Sequence, residues 1–385
     1  MRKTPKFEEC FADLICLPSV SSIDPEHDQS NNAVVDTLAG WFEALDFEIE
    51  IMSVKESPGK CNLIARRGEG ENGLVLSGHT DTVPYDESGW NTDPFKLTNK
   101  DNKYYGLGVA DMKSFFPIIL ETLERNADVQ YQKPIVVVAT ADEESTMSGV
   151  RSIKTANKKL GRYCIIGEPT GLKPIHMHKG IIIETIKIEG HSGHSSNPAL
   201  GKSALEGMID VINALRLWRE KLQDDHINCD FAVPVPTMNF GKILGGDSPN
   251  RICANCELSL DLRMLPGMSI EDIAKSLREK VKGALVGTGL NVEFNDLFDG
   301  IPPMQTPKES DIIKLSEEYT NEDSGSVAFG TEGPFYNDMG TETVILGPGD
   351  IDVAHQPNEY LQIERIEPMI NILSKMLNYF CEPKK

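Results

Sequence analysis

The chain has 385 residues, which is too long for one ordinary hydrophobic core, so its length predicts two domains. With 39% hydrophobic and 25% charged residues, its composition is that of a globular protein. The formal net charge of −21 argues against nucleic acid or an anionic membrane surface as a partner.

Helix-like and strand-like segments alternate from about residue 5 to residue 175. Apolar residues at helical spacing predict helices over 7–17, 31–45 and 112–126. Pro117 in the third of these requires a kink or a first turn. Short apolar runs bounded by Gly, Pro or Asp predict strands at 47–54, 62–65, 73–78, 134–141 and 163–169. This alternation predicts an α/β domain whose mostly parallel sheet is flanked by helices.

The pattern changes after Lys179. Segments over 180–296 follow the order strand, helix, strand, strand, helix, strand, which is the ferredoxin-like split βαβ layout of a compact α+β domain. A Pro-rich linker at 299–307 follows, and α/β character then returns with a helix over 309–320, a strand over 343–347 and a helix over 366–380. We therefore predict a domain of residues 180–293 inserted into a larger domain of residues 1–179 and 294–385.

Several predicted strands end in residues that bind metals. His79 and Asp81 follow the strand "LVLSG", and further acids or histidines occur in four other stretches: Asp111, Asp142, Glu143, Glu144, Glu168 and His355. In open α/β sheets the ligand crevice lies beyond the carboxyl ends of the strands, so these side chains could converge. Two histidines with several carboxylates suit zinc or a similar divalent ion, and more than four ligands suggest two ions. Each residue alone is also explained as a loop residue or as an acid at a helix N-terminus.

Six of these motifs together resemble one family. The segments "SGHTDTVP", "GLGVADMK", "ATADEE", "GEPT", "HSGHSS" and "AHQPNEY", in this order and spacing, look like the dinuclear zinc amidohydrolases and metallopeptidases. The resemblance runs from the first helix to the last. It implies a zinc-exopeptidase-like catalytic domain, an inserted lid and dimerisation domain, and two divalent ions per chain, zinc first and cobalt as a substitute. Ser114 departs from the family pattern, which has Gly there.

The resemblance also implies a role for each motif residue. It assigns the metal ligands His79, Asp111, Glu144, Glu168 and His355. Asp111 would bridge both ions and be joined to Met112 by a cis peptide bond, and Asp81 would hold the His79 ring in its ligating tautomer. Glu143 would be the general base, taking a proton from a water between the ions and passing it to the leaving amine.

The inserted domain carries further candidates. The resemblance implies that His194 of "HSGHSS" stabilises the reaction's oxyanion in a neighbouring subunit, within a homodimer formed by the inserted domains; a polar loop before a helix is the alternative. Asn250, Arg251 and Arg263 could hold a substrate α-carboxylate, although surface salt bridges also explain the two arginines. Glu332 is a candidate partner for a substrate ammonium.

The expected activity is hydrolysis of a small N-acetylated amino acid. The resemblance favours N2-acetyl-L-ornithine, cleaved to L-ornithine and acetate in arginine biosynthesis. The alternatives are desuccinylation, as of N-succinyl-diaminopimelate, or another N-acyl amino acid hydrolysis, and a non-catalytic metal-binding dimer. An inactive relative should first lose its base or a ligand, and this chain keeps Glu143 and all five ligands.

We expect a cytoplasmic protein without a membrane partner. No apolar run approaches the roughly 18 residues of a membrane span. Charges interrupt the N-terminal segment where a signal peptide needs an apolar stretch. Eight scattered cysteines indicate reduced thiols.

Overall fold

The computed structural model describes residues 3–296 and 298–383. Two compact units make up the chain: unit 1 comprises Met1–His176, Thr306–Gly325 and Thr331–Lys385, and unit 2 comprises Met177–Gln305 and Ser326–Gly330. The predicted domain boundaries at 179/180 and 293/294 remain a prediction. The predicted larger domain includes positions 1, 2, 297, 384 and 385, which lie outside the described residues. Within the described ranges, no helix is both long and apolar enough to cross a membrane.

The regular elements have the following bounds. The α-helices are α1 Phe7–Ile15, α2 Asn32–Ala44, α3 Phe115–Arg125, α4 Ser148–Thr155, α5 Ala204–Asp225, α6 Ile270–Ala284, α7 Asp311–Thr320, α8 Gly333–Asp338 and α9 Ile366–Phe380. The strands are β1 Glu48–Ser53, β2 Cys61–Arg67, β3 Leu74–His79, β4 Thr98–Lys100, β5 Lys103–Tyr105, β6 Ile135–Thr140, β7 Tyr163–Ile166, β8 Ile175–His178, β9 Gly180–Glu189, β10 Thr237–Gly245, β11 Asn255–Met264, β12 Asn291–Asp296, β13 Met304–Gln305, β14 Gly325–Val327, β15 Glu342–Ile345 and β16 Tyr360–Gln362.

The main sheet of unit 1 has parallel strands at its centre. Its order is β1-β2-β6-β3-β7-β15-β8. β6, β3, β7 and β15 pair in parallel, whereas β1 with β2, β2 with β6, and β15 with β8 pair antiparallel. β3 and β6 are buried along their whole length, as expected of strands covered on both faces. The predicted α/β class is confirmed.

Helices of unit 1 bury apolar side chains together with this sheet. α1, α2, α3 and α9 contribute to a continuous core, which includes Phe11, Phe42, Phe116 and Leu373. Pro117 lies in the first turn of α3, where its missing N–H removes no hydrogen bond within the helix, so the prediction of a first turn is confirmed.

Unit 2 has the predicted strand and helix order, β9-α5-β10-β11-α6-β12, and its antiparallel sheet has the order β10-β11-β9-β12. Ser203 and Ser269 cap α5 and α6, since each side chain accepts a hydrogen bond from a first-turn N–H. β11 alternates buried and half-exposed residues, as a strand with one face on a core must. It begins at Asn255, after the loop that contains Arg251.

Candidate metal centre

The metal-binding side chains of unit 1 start from the same end of the parallel strands. His79 is the last residue of β3, Glu143 and Glu144 follow β6, and Glu168 follows β7. β6, β3 and β7 are neighbours in the sheet. The residues predicted as ligands therefore come together because parallel strands present their carboxyl ends at one edge. His355 reaches the same place from the loop after β15, with φ at 57°.

Asp111 lies between two imidazoles. Its Oδ1 is 3.1 Å from Nε2 of His79, and its Oδ2 is 3.3 Å from Nε2 of His355. One carboxylate thus faces two separate histidines, which is the arrangement that a carboxylate bridging two ions needs. The peptide bond between Asp111 and Met112 is cis, as the resemblance implies.

Glu144 and Glu168 complete the two sides of this cluster. Glu144 Oε1 is 3.0 Å from Nε2 of His355, and Glu168 Oε2 is 4.0 Å from Nε2 of His79. His79, Glu143 and Glu168 each place one potential ligand atom within 4.8 Å of the ligand atoms of the other two. His79, Asp111 and Glu144 do the same. Glu143 is as close as a ligand, so these distances do not by themselves separate the base from the ligands.

The electrostatics of the cluster favour a cation. Burial, followed by repulsion from Glu168, raises the pKa of Glu143 well above its usual value. Burial, followed by repulsion from Asp111, does the same to the pKa of Glu168. Within the described residues, Glu168 Oε1 is buried and has no hydrogen-bond partner. Divalent ions would neutralise these carboxylates, so the donor set fits the metal site that the sequence predicts.

Both imidazoles gain a proton more readily than a free histidine. Hydrogen bonds to Asp111 and then Glu144 raise the pKa of His355 to about 11. Burial opposes charge on His79, but the hydrogen bond to Asp111 and the nearby acids outweigh it and raise the pKa of His79. The pKa of Asp111 is lowered, because the hydrogen bonds from His355 and His79 outweigh the effect of burial.

Asp81 contacts both His79 and the turn that carries Glu143 and Glu144. Its backbone carbonyl, not its carboxylate, accepts the hydrogen bond of His79 Nδ1 at 2.9 Å, and the carboxylate Oδ1 is 3.7 Å from that nitrogen. The carboxylate accepts the backbone N–H groups of Glu143 at 3.3 Å and Glu144 at 3.0 Å. Asp81 therefore holds the His79 ring through its main chain and the turn of the two glutamates through its side chain.

A buried ion-pair network surrounds Asp142, the residue before that turn. The carboxylate of Asp142 lies 2.9 Å from Nζ of Lys60 and accepts hydrogen bonds from Ser21 at 3.0 Å and Ser148 at 2.8 Å. Lys60 also binds Asp28 at 2.7 Å. The φ of Asp142 is 55°, in the left-handed region, so its contacts help to hold an unusual backbone directly before Glu143.

Three of the predicted residues of the inserted domain meet in unit 2. The backbone of His194 forms a bridge with Arg251, and the carbonyl of Asn250 accepts the N–H of Ser195 at 3.1 Å. Arg251 pairs with Asp247 at 2.7 Å. Arg263 lies on β11, where both arms of its guanidinium bind the carboxylate of Asp261 at 2.8 and 2.9 Å. Both arginines thus form ion pairs, and their substrate roles remain predictions.

Glu332 in unit 1 is fully buried at the start of α8, with 0% of its surface exposed. Burial raises its pKa to about 7. The structure encloses this carboxylate in protein, so its contact with a substrate ammonium also remains a prediction.

Comparisons with known proteins show the family of the chain. Residues 75–379 match the profile described as Peptidase family M20/M25/M40. The chain belongs to this family. It is 43% identical to the acetylornithine deacetylase of Pasteurella multocida over 381 residues, covering 99% of this chain and 100% of that protein. It is 45% identical to the acetylornithine deacetylase of Vibrio campbellii over 377 residues, covering 98% and 99%.

A solved structure shows the same fold at low identity. The M20 family metallo-carboxypeptidase Sso-CP2 from Sulfolobus solfataricus superimposes with a TM-score of 0.76 at 17% identity, covering 98% of this chain and 99% of that one. The resemblance seen in the sequence motifs is confirmed.

Proposed function

We propose that the protein is a metal-dependent amidohydrolase that cleaves N2-acetyl-L-ornithine to L-ornithine and acetate, a step of arginine biosynthesis in the cytoplasm. The observation that carries the chemistry is Asp111, whose two carboxylate oxygens face His79 and His355 separately. The substrate assignment is supported by the acetylornithine deacetylases, which match almost the whole chain at 43% and 45% identity.

The proposed cofactor is a pair of divalent ions, zinc first and cobalt as a substitute. His79 with Glu168 would hold one ion, Glu144 with His355 would hold the other, and Asp111 would hold both. When bound, such ions polarise an amide carbonyl and lower the pKa of water.

Glu143 is the proposed general base. Its side chain is buried beside His79 and Glu168, and its backbone N–H is fixed by Asp81. A carboxylate at this position can first accept a proton from water and then release it. The water oxygen joins the acetyl carbon, the C–N bond breaks, and Glu143 returns the proton to the leaving α-amine.

His194 is the proposed oxyanion donor. Its Nδ1 accepts hydrogen bonds from the N–H of Ser196 at 3.2 Å and from the hydroxyl of Ser196 at 2.8 Å. An imidazole that accepts at Nδ1 carries its neutral-state proton on Nε2, so Nε2 can donate to an oxyanion. His194 is exposed, as a residue that serves another subunit must be.

We also propose a homodimer formed through the inserted domain. β10 is an edge strand of its sheet, and the edge carries Ile243 and Leu244, which are 51% and 54% exposed. An exposed apolar edge strand invites pairing, and pairing across a two-fold axis would cover it. Asn250, Arg251 and Arg263 are proposed to hold the substrate α-carboxylate, the two arginines once their present ion pairs open. Glu332 is proposed to hold the substrate ammonium.

A substrate panel tests this function. N-acetyl, N-succinyl and N-formyl derivatives of ornithine, diaminopimelate and other amino acids are assayed after dialysis against chelator, with zinc or cobalt added back. We expect N2-acetyl-L-ornithine to have the highest kcat/KM and chelated protein to be inactive. Preference for a succinylated substrate would replace the proposed substrate, and no hydrolysis of any substrate by metal-loaded protein would favour a non-catalytic dimer.

A further inference from the structure

Glu359 lies in the motif "AHQPNEY" but belongs to no predicted ligand set. Its carboxylate accepts three backbone N–H groups of one short segment: Gly108 at 2.8 Å on Oε2, and Ala110 at 2.6 Å and Asp111 at 3.0 Å on Oε1. Only 2% of Glu359 is exposed. All three hydrogen bonds are 3.0 Å or shorter and end on one buried side chain, so this is a firm attachment.

This attachment joins the loop that carries Asp111 to the loop that carries His355. Asp111 belongs to the segment that Glu359 binds, and His355 lies only four residues before Glu359. Strand pairing continues the connection, because Tyr360 pairs with Tyr105 and the N–H of Gly106 donates to the carbonyl of Glu359 at 3.3 Å. The position of Asp111 relative to His355 therefore depends on Glu359.

The three donors require a carboxylate specifically. A glutamine at position 359 has one acceptor oxygen. Its NH2 group would face at least one backbone N–H, and two donors cannot form a hydrogen bond with each other. A buried N–H left without an acceptor is costly, so the segment should shift rather than keep its position. A shift of about 1 Å in a group that positions reacting atoms can reduce the rate about 100-fold.

We propose that Glu359 is a positioning residue of the metal centre: by fixing the 108–111 segment to the His355 loop, it sets Asp111 at the place where one carboxylate can serve both ions. This inference depends on the proposed function, because it assumes that Asp111 binds metal. Glu359 itself touches neither substrate nor ion.

The test compares E359Q with E317Q. Glu317 is a matched control, because it also accepts a backbone N–H, that of Ser324 at 2.9 Å, and belongs to α7 and not to the centre. Chelator-treated proteins are titrated with zinc against a competing indicator, and the visible spectrum of each cobalt-loaded protein is recorded. Circular dichroism and thermal melting establish that each variant folds.

We expect E359Q to bind metal about 10–100-fold more weakly, the usual effect of losing a group that orients a ligand. Its cobalt spectrum should change, and kcat should fall more than KM rises, whereas E317Q should match the wild type in all three measurements. Wild-type zinc affinity together with a wild-type cobalt spectrum in E359Q would overturn the inference.

A second variant covers the case in which E359Q does not fold. E359D keeps the charge but is one methylene shorter, so it cannot span all three donors, and we expect an intermediate loss of zinc affinity. Wild-type affinity in E359D would again overturn the inference. Failure of the proposed function is distinguishable, since it would appear in the wild-type protein itself, as absent hydrolysis of N2-acetyl-L-ornithine or absent zinc binding, whereas failure of the inference would leave the wild type unaffected and make E359Q equal to it.

Discussion

The carboxylate of Asp81 accepts a hydrogen bond from the backbone N–H of Glu144 at 3.0 Å, and the backbone carbonyl of Asp81 accepts one from Nδ1 of His79 at 2.9 Å. One residue therefore connects the end of β3 with the turn after β6. Glu143, the proposed base, and Glu144, a proposed ligand, are consecutive in that turn. Asp81 therefore fixes the positions of both while it orients the His79 ring. Displacement of this turn would disturb proton transfer and metal binding together.

Replacing Glu143 with Gln tests the proposed base. The amide has the same size but cannot accept the proton of water, so we expect kcat to fall about 10²–10⁴-fold. Fold and metal content should persist, because the proposed ligands are unchanged. Turnover is measured on metal-replete protein, with Glu69→Gln, an exposed position, as the control. Near-wild-type turnover in Glu143→Gln would assign the base to another group.

Replacing Asp111 and His355 separately tests the bridge. Asp111→Ala removes a carboxylate that faces both imidazoles, so the protein should bind both ions more weakly. His355→Ala removes a residue of one side only and should leave one ion bound. Metal is counted by elemental analysis of the purified proteins, and activity should be lower in Asp111→Ala. Two tightly held ions per chain in Asp111→Ala would contradict the bridging role.

Metal binding should release protons at neutral pH. The pKa of His355 is raised to about 11, so this imidazole holds a proton at pH 7 in the protein alone, and the raised pKa of His79 favours its protonated form as well. A metal ligand must be a neutral imidazole, so zinc displaces these protons and its affinity should rise with pH. Titration calorimetry in buffers of different ionisation enthalpy counts the protons released. His355→Ala should release fewer, and an unchanged count would show that His355 does not exchange its proton for metal.

The convergence of the proposed metal ligands could be predicted from the sequence because it depends on a local rule. Each follows a strand or lies in a loop at one sheet edge, and that edge is set by the parallel strand order. The contacts of the Asp81 carboxylate with the glutamate turn follow from where the strand ends. Alternation places residues 79 and 81 on one side only if the strand continues, but β3 ends at His79 and the chain turns.

Other contacts had no local pattern to reveal them. Glu359 binds the N–H of Ala110 from 249 positions away in the chain, and Lys60 meets Asp142 across the sheet edge. Such pairs follow from tertiary packing, which periodicity and strand-end motifs do not specify. The same motifs, however, already contained Asp142 and Glu359, so unassigned acids inside a recognised motif are where missing positioning groups should be sought.

Replacing Lys60 with Met tests the network behind the glutamate turn. The Lys60 side chain is 1% exposed and binds Asp142 and Asp28, so its removal leaves the Asp142 carboxylate buried beside a long apolar chain. Loss of one partner of a buried pair costs about 3–5 kcal/mol of unfolding free energy. Lys159→Met is the control, because its pair with Glu71 is exposed on both sides and should contribute at most about 1 kcal/mol. Denaturant unfolding measures both, and equal stability of the two variants would refute a structural role for the network.

Mixing two inactive variants tests the proposed dimer and the place of His194 in it. If His194 acts in the partner's active site, His194→Ala and Glu143→Gln chains should be nearly inactive alone but partly active after subunit exchange. In the mixed dimer, one site combines an intact Glu143 from one chain with an intact His194 from the other, so a random mixture should recover a substantial fraction of wild-type activity.

Mixing either variant with Asp111→Ala distinguishes the two chains' contributions, because Asp111 and Glu143 are both in unit 1 and serve the same centre. Glu143→Gln with Asp111→Ala should therefore show no recovery, whereas His194→Ala with Asp111→Ala should. Absence of recovery in the first mixture, with exchange confirmed by differently tagged chains, would place His194 in its own chain's site or outside catalysis.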